Sequence, residues 1–147
     1  QIIGFVISVH VLGMYAFSPI VGSLSDRLGR VRVIQIGITI LLLSTLVSGT
    51  AAADDAVRLG IGLFLLGLGW SCTLIAGSAY LSESVSVEMR PASQGASDLV
   101  MNLAGAGGGA IAGVIIGTLS YGWLCLFAAI PVIALAITSQ RILKIED

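Results

Sequence analysis

Apolar residues in this chain run in long unbroken blocks separated by short polar breaks. The blocks lie near Ile2–Val21, Val33–Thr50, Ala56–Leu81, Pro91–Leu119 and Tyr121–Ile137. A helix needs ~20 apolar residues to cross ~30 Å of hydrocarbon, and each block approaches that length, the last being the shortest. Barrel strands alternate apolar and polar positions, whereas these runs are continuous. The pattern therefore predicts an all-α membrane protein with five transmembrane helices. Boundary residues agree. Asp54 or Asp55 can cap the third helix, Pro91 suits the first turn of the fourth, and Ser120-Tyr121-Gly122 predicts a hairpin between the last two. Pro19, four residues after Tyr15, predicts a bend in the first helix.

Charge gathers at the breaks. The first break, Gly22-Ser23-Leu24-Ser25-Asp26-Arg27-Leu28-Gly29-Arg30, puts an acid and two arginines into a turn expected to be a short loop, with Arg32 just beyond. Arg27, Arg30 and Arg32 share one side with Arg90 in the third break and with Arg141 and Lys144 in the tail, while Arg58 alone falls opposite. Positive charge marks cytoplasmic loops, so the N-terminus is expected outside, with the charged turns and the C-terminus in the cytoplasm. Tyr121 and Trp123 then fall at the outer surface, where aromatic rings favour the headgroup layer.

Composition supports the same solvent. The chain is 56% hydrophobic and 10% charged, with a mean hydropathy of +1.05, whereas soluble domains carry about 25% charged residues. Net charge is −1, and no basic patch suggests nucleic acid. The first residue is Gln1 and no charged region precedes the apolar run, so no signal peptide is expected and the chain reads as a piece of a longer protein. Cys72 and Cys125 both fall inside spans, which makes neither a disulfide framework nor a metal site. His10 is the sole histidine, and no hydrolase, zinc-protease or phosphate-loop pattern occurs. Neither an enzyme nor a bound cofactor is expected.

The pattern Gly22-x-x-x-Asp26-Arg27-x-Gly29-Arg30 resembles the signature loop of the major facilitator superfamily, which joins the second and third helices of each six-helix half. The residues have their own physical reading. Gly22 lets two helices approach, Gly29 permits a tight turn, and Asp26 is an anion on a short tether that can sit at a neighbouring helix N-terminus. Tyr80-Leu81-Ser82-Glu83 followed by Glu88-Met89-Arg90 resembles the ending of the fourth helix of a half in that family. The resemblance implies that Glu83 meets Arg27 or Arg30 and that Arg90 meets Asp26, a network that assembles in one state and loosens in another. Solvated interface charges are the plainer alternative. Gly67-Leu68-Gly69-Trp70-Ser71, then Arg90-Pro91-x-x-Gln94-Gly95-x-x-Asp98-x-x-Met101-Asn102, resembles the tenth and eleventh helices, a resemblance that implies helices eight to twelve of twelve. The implied whole is a secondary active transporter of a small-molecule substrate. It would sit in the lipid bilayer of a bacterial plasma membrane, driven by an ion or solute gradient, with an N-terminal half of the same protein missing here. A non-transporting receptor or scaffold, or an inactive transporter remnant, would keep the spans and let the loop charges drift.

Further candidates follow from helical spacing. Gly105, Gly109, Gly113 and Gly117 recur every four residues on the fourth helix, and Gly107 and Gly108 widen the bare stripe. Small residues at that spacing let backbones approach in lipid, so close packing against a neighbouring helix is expected. Polar groups at membrane depth usually face a partner or a cavity. His10, with Met14 on the same face and Gly13 nearby, is a candidate for substrate or proton coupling, or a plain hydrogen-bond donor to a neighbouring helix. Gln94, Asp98 and Asn102 stack on the inner end of the fourth helix, where gating or structural pairing is expected of Asp98. Trp70, Ser71, Thr73 and Ser78 lie on the third helix, which the resemblance places beside the central cavity; core packing explains Trp70 equally well.

Overall fold

In hydrocarbon the backbone amides have no water to bond, so an apolar block of this length closes its own hydrogen bonds as a helix. The computed structural model describes residues 2–52 and 55–146. Its helices are α1 (Ile2–Tyr15), α2 (Ser18–Leu28), α3 (Arg30–Gly49), α4 (Ala56–Glu83), α5 (Arg90–Thr118) and α6 (Tyr121–Glu146), with one 3₁₀ turn at Val87–Met89. Five helices are long and apolar enough to cross a membrane, because α1 and α2 together make one span, Gly4–Leu28. Among the described residues there is no strand.

Three boundaries differ from the sequence expectation. The first helix does not merely bend. Ala16 and Phe17 form a turn near the middle of the span, because Pro19 has no amide to give the Tyr15 carbonyl. The Ser18 hydroxyl donates to the Met14 carbonyl at 3.2 Å, which satisfies one acceptor freed there. The charged stretch expected as a loop is almost entirely helical: α2 runs through Gly22 to Leu28, Gly29 alone intervenes, and α3 begins at Arg30 rather than Val33. Nothing between Ser23 and Leu28 breaks a helix, and Arg27 in the last turn complements the helix dipole. The last helix, expected to stop at Ile137, continues to Glu146 with Pro131 inside it.

α4 is the centre of the bundle, packed against α1 on one side and α3 on the other. Two glycines explain how. Gly67 and Gly69 stand two positions apart, so they face roughly opposite sides of a helix that turns ~100° per residue. A Cβ at Gly67 would strike the His10 carbonyl oxygen, and would lie 2.9 Å from the Met14 nitrogen. Gly13 answers from α1, where a Cβ would lie 2.6 Å from the Phe64 carbonyl oxygen. On the other side, a Cβ at Gly69 would meet the Gly37 carbonyl oxygen at 3.0 Å, and one at Gly37 would meet Thr73 Cγ2 at 2.8 Å. Apolar side chains gain nothing by leaving lipid, so such close crossings and small polar side chains hold membrane helices together. Buried Ser44 supplies one such contact, donating to the Gly62 carbonyl at 2.8 Å. The core is small: Val21, Val33, Cys72 and Ala76, covered by Phe17, Leu24, Ile34, Ile40 and Ile75.

α5 is the exception. It contains no buried residue. The stripe expected to pack closely is open: nothing lies within 4 Å of a Cβ built at Gly105, Gly107, Gly108, Gly109, Gly113 or Gly117. Among the described residues nothing fills that groove.

Candidate functional site

The charged end of the bundle is built by one residue. Gly29, at φ 93°, is the sole described non-helical position between α2 and α3. Side-chain-bearing residues rarely adopt that backbone angle, so only glycine turns the chain here without strain. The turn points the first residue of α3, Arg30, back across α2 and towards the last turn of α4. Its Nη2 donates to Glu83 Oε1 at 2.8 Å, while Nε donates to Oε1 at 3.2 Å and Oε2 at 3.3 Å. Its Nη1 donates to Ser25 Oγ at 3.2 Å and also to Asp26 Oδ1. One planar guanidinium thus holds two carboxylates and a hydroxyl from two helices, a task its fork of donors suits and a lysine does not.

Exposure sets the character of the cluster. The Arg30 side chain is 23% exposed, against 69% for Asp26 and 55% for Glu83. Both carboxylates stay within reach of water, so releasing them leaves no charge stranded in hydrocarbon. Such a contact favours one arrangement and can be undone.

Several expected partners are elsewhere. Asp26 turns to the Arg30 side chain rather than to the free amides of a helix N-terminus. Arg90, expected opposite Asp26, makes no ion pair among the described residues; Asp26 is held instead by Arg30, four residues on. Arg27 likewise has no ion pair among the described residues; it projects beside Pro19, Ile20, Ser23 and Leu24. Gly22 meets nothing within 4 Å of a Cβ position, so it is not a crossing point among the described residues. Ser25 was missed by the sequence reading. It is only 1% exposed beneath Arg30, and a serine one turn before the turn glycine was the available signal.

The opposite end has its own closure. The Asp55 carboxylate accepts from the Arg58 amide at 2.9 Å, capping α4, and Arg58 Nη2 donates to Thr50 Oγ1 at 2.7 Å. Asp54, the alternative cap, lies outside the described residues, as does the side chain of Lys144. The ends of the bundle therefore differ, with Asp26, Arg30 and Glu83 at one and Thr50, Asp55 and Arg58 at the other.

Between them, the deep polar candidates divide. His10 Nδ1 donates to the Leu63 carbonyl at 2.8 Å, across the glycine-lined crossing of α1 and α4. Trp70 meets Tyr15 edge to face, with ring centroids 6.4 Å apart, directly beside the break in the first span. Ser18 Oγ lies 3.5 Å from buried Ser71 Oγ at the same level. Asp98 and Asn102 are exposed, and Asn102 donates only to the Asp98 carbonyl of its own helix. Gln94 alone of that stack reaches another helix, donating to Ser78 O and Ser82 Oγ of α4. Cys72 and Cys125 are free thiols, on α4 and α6.

Five membrane-length helices, three of them joined at one rim by a carboxylate–guanidinium cluster, make this an all-α integral membrane protein. The sequence comparison makes the class specific. A profile of the Major Facilitator Superfamily matches residues 1–146, and the chain belongs to that family. It is 39% identical over 128 residues to the uncharacterized MFS-type transporter YdeG of Bacillus subtilis, covering 87% of this chain and 30% of the relative. It is 36% identical over 128 residues to YddS of the same organism, also an uncharacterized MFS-type transporter, covering 87% of this chain and 29% of the relative. The riboflavin transporter RfnT of Brucella anthropi is 28% identical over 92 residues, covering 63% of this chain and 23% of the relative. The chain thus spans under a third of the length of these relatives. No solved structure matches it at a comparable level.

Proposed function

We propose that the intact protein is a secondary active transporter of a small solute and that this chain is helices eight to twelve of its twelve. The single observation behind this reading is the grip of Arg30 on Asp26 and Glu83. It ties α2 and α4 together at one rim through groups that water can separate. Alternating access requires two packings of nearly equal energy. Here the cluster favours one of them without sealing it. The rim carrying Arg27, Arg30, Arg32 and Arg90 is the cytoplasmic one, in a bacterial plasma membrane. The N-terminal half supplies the other wall of the pathway and covers the open groove of α5.

Substrate is held near the midplane, where the first span breaks at Ala16–Phe17. Irregular backbone at membrane depth survives only when buried or facing a cavity, and Tyr15, Trp70 and Ser18 flank this one. One relative is a riboflavin transporter, which fits an aromatic pair at that position. His10 is committed to Leu63 through Nδ1, so its part is to hold α1 on α4. The driving energy is an ion or solute gradient.

The test is a gradient-dependent uptake and efflux screen of the full-length protein, followed by Asp26→Asn. The variant keeps size and loses charge. Transport is expected to fall severalfold while the amount of protein in the membrane is unchanged; wild-type kinetics in that variant would remove the cluster from the mechanism.

A further inference from the structure

α5 is bare along its length, yet it is not loose at its α4 end. The side chain of Gln94 is the one side chain of α5 that bonds another helix among the described residues. Its Nε2 donates to the Ser78 carbonyl at 2.9 Å and to Ser82 Oγ at 2.8 Å. A carboxamide nitrogen carries two hydrogens, so both are used. The acceptors stand four residues apart, one turn of α4. Ser82 is next to Glu83, the residue Arg30 holds. Two contacts from different helices therefore converge on adjacent residues in the last turn of α4.

We propose that Gln94 is a positioning residue for the alternating motion: it ties the inner end of α5 to the turn of α4 that the Arg30 cluster holds, so that α5 pivots there and follows the state of the cluster. The proposal rests on the transporter reading above. The logic is mechanical. Nothing among the described residues lies within 4 Å of a Cβ built at any glycine from Gly105 to Gly117, so the bare stripe leaves α6 as the helix that meets α5 besides α4. At its other end α5 reaches α6 through Leu119 and Ser120. An amide fork in the second turn of the helix then decides where the helix swings from. Removing it leaves the 3₁₀ turn at Val87–Met89 as the remaining hinge, which carries no side-chain tie to α4 among the described residues.

The experiment uses the full-length protein in lipid nanodiscs, its native cysteines replaced. Spin labels go at Val114 on α5 (65% exposed) and Val57 on α4 (75% exposed). Both lie at the end away from Gln94, where a pivot gives the largest excursion. Pulsed dipolar spectroscopy reads the distance distribution. In the unsubstituted background two populations are expected. Gln94→Ala should shift their ratio about tenfold towards the longer distance, and Ser82→Ala, which removes one of the two acceptors, about threefold. The thermal midpoint should stay within error of the parent in both. Two populations that Gln94→Ala leaves in their original ratio would overturn the pivot and spare the transporter reading. A fall in thermal midpoint with an unchanged ratio would make Gln94 merely structural, again overturning the pivot. A single population in the parent would overturn the alternating transporter itself, and the pivot with it.

Discussion

Replacing Gly67 by alanine tests the packing of α1 on α4 most directly. The added methyl would stand 2.9 Å from the Met14 nitrogen and 3.2 Å from the Gly13 carbonyl carbon, and closer still to the His10 carbonyl oxygen. All three are backbone atoms, so no side chain can rotate away and the helices must part. Bringing the His10 contact, the tightest of the three, to ordinary van der Waals range takes about an ångström, and a gap of that size forfeits roughly half of the dispersion energy across an interface. Overpacking of this kind destabilises by ~1–3 kcal/mol. Against it stands the better helix propensity of alanine, ~1 kcal/mol. Gly77→Ala isolates that second effect on the same helix, since a Cβ there meets nothing within 4 Å. Thermal unfolding of the purified full-length protein, followed by tryptophan fluorescence, should show Gly67→Ala several degrees below wild type and Gly77→Ala at or above it. A Gly67→Ala protein that unfolds at the wild-type temperature would refute the close crossing and the reading of Gly67 and Gly69 as opposed contact points.

Asp55→Ala removes the carboxylate that accepts the Arg58 amide, and is expected to lower stability by about 1 kcal/mol, read as a lower unfolding midpoint in the same assay. Gly109→Leu fills the open groove of α5, where nothing among the described residues lies within 4 Å of a Cβ; measured uptake should fall more than membrane insertion, and normal uptake would count against a close partner at that stripe.

What the sequence showed and what it hid follow one rule. Span positions were legible because a bilayer demands long apolar runs. The Asp55 cap and the Gly29 turn were legible because each rests on local geometry. The Arg30–Glu83 pair needed the family resemblance, since those residues stand far apart in the chain. The helical continuation from Gly22 to Leu28 was hidden by reading charge as loop. Charge marks where the membrane ends and does not end a helix. The fate of Arg27 and Arg90 was hidden for a different reason. Arginines near one rim are interchangeable in a pattern, and only coordinates say which one reaches the acids first. The close-packing role of Gly67 and Gly69 was equally invisible, because glycine spacing names no partner.

A single residue spans the interval from α2 to α3. Successive Cα atoms lie 3.8 Å apart, so this joint has no slack. A rotation of one helix can be absorbed only at the two backbone dihedrals of Gly29, a crank pin rather than a cable. Lengthening the connection by even one amino acid would uncouple the pair while leaving every contact residue in place.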